Sequence, residues 1–132
     1  MIANGSTASN PDATDAVPRP ALASGSAIGA WLAARTPAPP DALRERVAAL
    51  VRSEELLAGG GATAAELLVR AAERTLRALL RGDPRRRECA LDLLAADALV
   101  TYGFEAAADA PATIEPLAHG AMARLSEAAE ST

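Results

Sequence analysis

The sequence has one cysteine, three aromatic residues and no lysine. The lone Cys89 excludes an internal disulfide and a metal cage built from cysteines. No apolar run approaches the roughly 20 residues that a membrane-spanning helix needs. The first residues also lack the basic start and apolar block of a secretory signal. From these absences we expect a cytoplasmic protein without a membrane segment.

Charge is carried by 17 acidic residues and 13 basic residues, and the net charge is −4. All the basic residues are arginine, and the arginine- and alanine-rich composition is typical of GC-rich bacterial genomes. A domain that binds nucleic acid through phosphate contacts usually carries a basic face or an overall positive charge. The mild acidity therefore argues against a nucleic-acid partner.

The distribution of apolar residues predicts an all-α protein. Alanine, the strongest helix former, is abundant, and β-branched residues never alternate over a strand-length run. Residues 1–25 hold few large apolar side chains, so we expect a disordered N-terminal tail. Residues 26–36 predict a short helix and a proline-rich linker, and residues 40–130 predict a helical bundle domain.

Signals for helix starts and ends divide the bundle into four helices. The start signals are Pro40-Asp41, the capping box Thr63-Ala64-Ala65-Glu66, and Asp83-Pro84. The glycines at 59–61 and at 82 end the helices that precede them. Short links predict antiparallel neighbours, so the expected fold is a small antiparallel four-helix bundle with an extra short N-terminal helix. Glu54 falls on the apolar stripe of its helix, and we expect the last turn there to fray or kink.

The segment 88–108 is apolar on two separate faces. A helix with two apolar faces is typical of the middle of a bundle. Asp97, Thr101 and Glu105 are spaced i, i+4, i+8 along this helix and are predicted to form a row of buried polar positions. Such a row could face a cavity and hold a metal or a cationic group. Alternatively, it could be a solvated seam, or Asp97 could pair with an arginine such as Arg74 or Arg77.

Two features predict an interaction surface. Trp31 lies on a short helix tethered by prolines, which we interpret as a lid or a partner-binding arm. Four arginines repeat along one face of the third helix and form a candidate ridge for an acidic partner: Arg70, Arg74, Arg77 and Arg81.

The remaining residues that could take part in catalysis have no second catalytic group near them in the sequence. His119 falls on the polar face of the last helix, where a solvated histidine is the simplest interpretation. Cys89 follows three arginines, a setting that lowers a thiol pKa in some proteins, but a small core residue explains it better. The arginines at 85–87 are interpreted as a solvated helix start. We predict no catalytic set, no cofactor site and no metal site.

The segment Leu94–Glu105, LAADALVTYGFE, resembles the GDALLTLAFE helix of the all-α trans-isoprenyl diphosphate synthases. Identities fall at Asp97, Ala98, Leu99, Thr101, Phe104 and Glu105, while Ala96 stands where the family has glycine. The resemblance covers about a tenth of the chain, and the aspartate-rich DDxxD motifs of that family are absent. It implies a similar way of packing an alanine-lined helix and a pocket for an apolar ligand, without prenyl transfer.

Two functions follow as hypotheses. The first is a non-catalytic protein-interaction or oligomerisation module, acting as a homodimer or with another protein. The alternative is a small protein that binds an apolar, isoprenoid-like ligand in a pocket near Asp97, lined by Leu93, Val100 and Phe104.

Overall fold

The computed structural model describes residues 25–83 and 85–131, so the tail predicted at residues 1–25 lies outside the described residues apart from Gly25. The elements in chain order are α1 Gly25–Ala33, α2 Asp41–Ala58, α3 Ala64–Arg81, α4 Arg87–Ala107, a 3-10 turn Pro111–Thr113, and α5 Ile114–Glu130. These two ranges contain helices and no strand. The predicted all-α helical bundle is confirmed.

The central helix is α3. It contacts α2, α4 and α5, and half of its 18 residues are buried, including the consecutive Leu67, Leu68 and Val69. Three adjacent buried positions point in three directions around a helix, so α3 can serve three neighbours at once. The prediction that α4 occupies the middle is wrong, because only five of its 21 residues are buried.

Helices α3 and α4 form the antiparallel hairpin that the short link predicts, and they share the most extensive helix–helix interface. Gly103, near the end of α4, lies against the start of α3. A Cβ atom added at Gly103 would lie 2.7 Å from Cγ2 of Val69 and 3.3 Å from the carbonyl oxygen of Ala65. The absence of a side chain therefore allows the two backbones to approach closely.

Most of the predicted helix boundaries hold, and two expectations at helix ends do not. The capping box at α3 is present, since the Glu66 amide donates to the Thr63 hydroxyl and the Thr63 amide donates to the Glu66 carboxylate. The glycines at 59–61 all have positive φ and end α2. However, α2 runs through Glu54 to Ala58 without fraying. In addition, α4 begins at Arg87 and not at Asp83, whose carboxylate instead accepts from the Arg85 amide.

Helix α1 is part of the core. Ile28 is 0% exposed and Leu32 is 2% exposed, and both belong to the same buried cluster as Val47 and Leu99. The segment therefore packs onto the bundle, and its interpretation as a lid or a partner-binding arm stays a prediction. The apolar pair at i, i+4 on this short helix is removed from water by packing against the bundle, which is favourable.

Helix α5 is the most weakly embedded of the bundle helices. Among its residues only Ala121 is buried, and Met122 is 64% exposed. His119, predicted to lie on the polar face, is exposed, as are Glu127 and Glu130. The contacts of α5 are mainly with α3, so one flank of α4 remains uncovered.

Candidate interaction surface

The row Asp97, Thr101 and Glu105 lies on the solvent-exposed side of α4. The prediction that these positions are buried is wrong, because α3 and α2 cover the opposite side of the helix, through Ala95, Leu99 and their neighbours. Glu105 forms an ion pair with Arg35. Asp97 has no hydrogen-bond or ion-pair partner among the described residues, which fits its exposure.

Among the described residues, the buried acids are Glu54 and Glu73, each 3% exposed. Glu54 lies on α2, and its carboxylate accepts a hydrogen bond of 2.8 Å from Nε of Arg74 on α3. The sequence analysis identified Glu54 as an acid on an apolar stripe, and no sequence pattern marked Glu73 as buried. An acid on an apolar stripe, with an arginine available on the next helix, was the signal for a buried ion pair.

The second buried acid fixes α5 to α3. Arg124 of α5 donates from Nε and Nη2 to the two carboxylate oxygens of Glu73, at 2.7 and 2.8 Å. This two-pronged geometry is the strongest form of an arginine–carboxylate contact. It compensates for the small apolar contact that α5 makes with the bundle.

The hydrogen bond to Glu54 raises the pKa of the Arg74 guanidinium, and the hydrogen bond to Glu73 raises the pKa of Arg124. A raised pKa means that the stabilisation is present below the ordinary arginine pKa and is lost only as the pH rises through the raised value. Both guanidiniums therefore stay charged at neutral pH, and the pairs act as permanent structural contacts between helices.

The predicted arginine ridge is not one continuous free surface. Arg74 is paired with Glu54, and Arg77 donates to the carbonyl oxygen of Arg124 at 3.5 Å. Arg70 and Arg81 are exposed and have no partner among the described residues. The arginine face of α3 is thus divided among α2, α5 and solvent.

Trp31 is half-buried and is held in an aromatic and cationic cluster. Its ring meets that of Tyr102 on α4 edge to face, with centroids 5.7 Å apart and planes at 88°. The Arg35 guanidinium lies 4.5 Å from the centroid of Trp31 and 5.1 Å from that of Tyr102. These contacts fasten α1 to α4, so Trp31 serves the fold more directly than a partner surface.

A pair of exposed leucines lies in the middle of α4. Leu93 and Leu94 are each 57% exposed, and an exposed stripe runs along the helix with them. We define the α4 outer stripe as the exposed residues Arg87, Ala90, Leu93, Leu94, Asp97 and Thr101. Two adjacent leucines in the middle of a long, regular helix are costly to hydrate, and such patches often mark interaction sites.

Other large apolar residues are exposed at separate places. Leu56 and Leu57 are 86% and 62% exposed at the end of α2, and Leu80 is 48% exposed at the end of α3. These leucines lie within three residues of the ends of their helices. They offer a comparison for the pair on α4, which lies within regular helix on both sides.

A separate groove lies where α3 begins and α4 ends. It has a volume of about 500 Å³ and is bounded by α3, α4, the 3-10 turn and α5. None of Leu93, Val100 and Phe104, the predicted lining of an apolar-ligand pocket, contributes to it. The predicted location of a pocket near Asp97 is therefore not where this groove is found.

The remaining chemistry-bearing residues are dispersed. His119 is exposed. Cys89 is half-buried, and its thiol donates to the carbonyl oxygen of Asp83 at 3.2 Å, so it is a surface contact at the start of α4 and not a core residue. The arginines at 85–87 are exposed as predicted. Across residues 25–83 and 85–131, no three histidine, cysteine, aspartate or glutamate side chains come together as a metal site would require.

Comparison with known proteins gives no match to a protein family, a curated protein or a solved structure. Within the described part of the chain, no helix combines the length and apolar character needed to cross a membrane. The arguments about function that follow therefore come from the residues and geometry of this chain.

Proposed function

We propose that this chain is a non-catalytic interaction module that self-associates through the α4 outer stripe. The observation that supports this proposal is the pair Leu93 and Leu94, 57% exposed in the middle of α4. Burying exposed leucine surface against a second copy is favourable by roughly 25 cal/mol for each Å² of apolar area.

The stripe suits close helix–helix contact. Its exposed residues recur at i, i+3 and i+4 spacing from Arg87 through Ala90 and Leu94 to Asp97, the pattern of a two-helix seam. Ala90 lets a second backbone approach, and Leu94 supplies the apolar contact. Isologous pairing of one helix with its copy needs no further component.

Charge favours an antiparallel register. Arg87 and Asp97 are exposed, and neither has a partner among the described residues. In an antiparallel pair centred at Asp92, Leu94 of one copy faces Ala90 of the second copy, and Asp97 faces Arg87 of the second copy. The two-fold axis repeats both contacts, giving two opposite-charge pairs around an apolar centre.

The association is expected to be weak. A stable specific interface buries about 800 Å² on each partner, and a single helix stripe offers less. A dissociation constant on the order of 10 μM is therefore expected. Weak dimers of this kind suit concentration-dependent assembly.

Sedimentation velocity over a wide range of concentrations tests the proposal. Wild type is expected to shift from monomer to dimer, and Leu93→Glu with Leu94→Glu is expected to remain monomeric. The matched control is Leu56→Glu with Leu57→Glu, which adds the same charge to another exposed leucine pair. A wild type that stays monomeric at every concentration contradicts the proposal, as does a control that disrupts the dimer equally.

A charge exchange tests the register separately. Arg87→Asp and Asp97→Arg are each expected to weaken the dimer, because like charges then face each other across the seam. The double variant is expected to restore it. If the leucine variants abolish the dimer but the double variant does not restore it, self-association stands and the antiparallel register is wrong.

A cytoplasmic location belongs to the same proposal. It is supported by the single cysteine, since small secreted domains are commonly held by several disulfides. The resemblance of Leu94–Glu105 to isoprenyl diphosphate synthases remains a prediction about helix packing. Asp97 itself is exposed and does not line the groove of about 500 Å³.

A further inference from the structure

The groove between α3, α4, the 3-10 turn and α5 has the dimensions of a small-molecule site. Its volume of about 500 Å³ lies within the range of roughly 300–1,000 Å³ that ligand pockets span. It is separate from the α4 outer stripe, because no residue of that stripe lines it.

The lining of the groove is made mostly of small residues. Alanines contribute from α3, from α4 and from the segment that includes the 3-10 turn, and Leu117 and Pro116 of α5 add larger apolar surface. The alanine and glycine members are Ala64, Ala65, Ala106, Ala107, Ala110, Ala112 and Gly120. Small side chains here keep the helices from filling the space between them, and they leave an apolar wall.

Most polar groups at the groove are already engaged, including Asp109, an acid of the lining that has an interaction of its own. The side chains of Thr63 and Glu66 form the capping box of α3, and the Thr113 hydroxyl donates to the carbonyl oxygen of Ala110 at 2.7 Å. Arg124 donates to both carboxylate oxygens of Glu73. These groups shape the groove, but their strongest hydrogen-bonding directions are taken.

Arg70 is different. It lines the groove, is exposed, and has no hydrogen bond or ion pair with any described residue. Arginine presents a planar donor fork that matches a carboxylate. An apolar wall beside one uncommitted guanidinium is complementary to a molecule with an apolar body and one anionic end.

We propose that this groove binds a small organic acid, with the carboxylate on Arg70 and the hydrocarbon part against the alanine wall and Leu117. The class is a monocarboxylate with a short unbranched or lightly branched chain. Binding involves no covalent step, and it is independent of self-association through α4.

Titration with hexanoate, followed by backbone amide chemical shifts of the full chain, tests this proposal. Saturable shifts are expected at Ala106, Ala110 and Gly120. An equal concentration of 1-hexanol is expected to produce much smaller shifts, because it lacks the charge that Arg70 recognises. Hexanoate shifts that do not saturate, or that occur only at Leu93 and Leu94, would overturn the proposal.

Variants sharpen the result. Arg70→Gln is expected to weaken hexanoate binding about tenfold, the usual scale of one charge-assisted contact. Arg52→Gln is the matched control, since Arg52 is exposed on α2, outside the groove, and the variant removes the same charge. Equal affinity in the two variants would show that hexanoate is attracted by overall charge and that Arg70 is no site.

A second variant fills the space without touching the arginine. Ala112 is exposed on the 3-10 turn and lines the groove, so Ala112→Phe is expected to block hexanoate while circular dichroism and the sedimentation behaviour of the dimer stay unchanged. Unaltered hexanoate binding in Ala112→Phe would place the ligand elsewhere and contradict the proposal.

Discussion

Arg124 of α5 donates two hydrogen bonds, 2.7 and 2.8 Å long, to the buried carboxylate of Glu73 on α3. The Glu73 side chain is 4% exposed, whereas that of Arg124 is 41% exposed. The two partners therefore differ in what they lose when the contact breaks. The Glu73 carboxylate would stay buried without its charged partner, whereas the Arg124 guanidinium could be hydrated.

This inequality predicts which partner matters more. Arg124→Met leaves a buried, unpaired carboxylate and is expected to lower the free energy of unfolding by about 2–4 kcal/mol. Glu73→Gln keeps an acceptor for Arg124 and is expected to cost about 1 kcal/mol. Urea denaturation followed by circular dichroism measures both, with Glu127→Gln as the exposed control on α5. An Arg124→Met protein as stable as the control would contradict this assignment.

For the pair Glu54 and Arg74, we also expect that removing the arginine destabilises the fold more than removing the acid. Arg74→Met is expected to destabilise the fold by about 2 kcal/mol, because the Glu54 carboxylate stays buried without its partner. Glu54→Leu removes the buried charge at an apolar position, and Arg74, whose side chain is 57% exposed, turns to water. The free energy of unfolding of the Glu54→Leu variant is expected to stay within about 1 kcal/mol of wild type.

Denaturation curves for these two variants compare the two sides of the same contact. If Glu54→Leu is the more damaging of the two, the buried carboxylate contributes more through the ion pair than it costs in desolvation. That result would contradict our expectation that an apolar residue can replace Glu54 at the contact between α2 and α3.

The close approach of α4 to α3 predicts that Gly103→Ala is destabilising. Its Cβ would lie 2.7 Å from Cγ2 of Val69, so the helices must separate, at a cost of about 1–3 kcal/mol. Gly29→Ala on α1 is the control, because a Cβ there meets nothing within 4 Å and the helix gains up to about 1 kcal/mol. Opposite signs in thermal unfolding are expected, and a neutral Gly103→Ala would show that the contact yields easily.

The burial of α1 predicts that it unfolds together with the bundle. Leu32→Ala is expected to cost about 2–4 kcal/mol, since Leu32 is 2% exposed. Leu56→Ala, a leucine that is 86% exposed, is expected to change stability by less than about 0.5 kcal/mol. Urea midpoints for the two variants decide the question. Equal midpoints would show that the burial of Leu32 contributes no stability and that α1 does not unfold together with the bundle.

Local signals in the sequence predicted the elements well. The capping box at Thr63 and Glu66 and the glycines after α2 act within a few residues of one another, so their effect does not depend on the rest of the fold. Helix α4 starts at Arg87 and not at Asp83, whose carboxylate accepts from the Arg85 amide instead. Both outcomes use the same side-chain chemistry, and the sequence does not rank them.

The candidate site was harder to predict. Asp97 was predicted to be buried because α4 has two apolar faces, whereas no pattern along α3 marked Glu73 as buried. In each case the pattern describes one helix, and burial is set by how many neighbours surround it. The apolar flank of α4 with Leu93 remains uncovered because α5 packs on α3.

The amino-acid sequence alone determined that this chain is helical, where most of its helices start and stop, and that α3 and α4 fold back on each other, since these follow from propensity, capping and a short link. Only the tertiary structure decided which helix is central, which carboxylates are buried, and which leucines face solvent. Those properties depend on the arrangement of several helices around one another, and contacts such as Glu73 with Arg124 join residues 51 positions apart, beyond the reach of any local pattern.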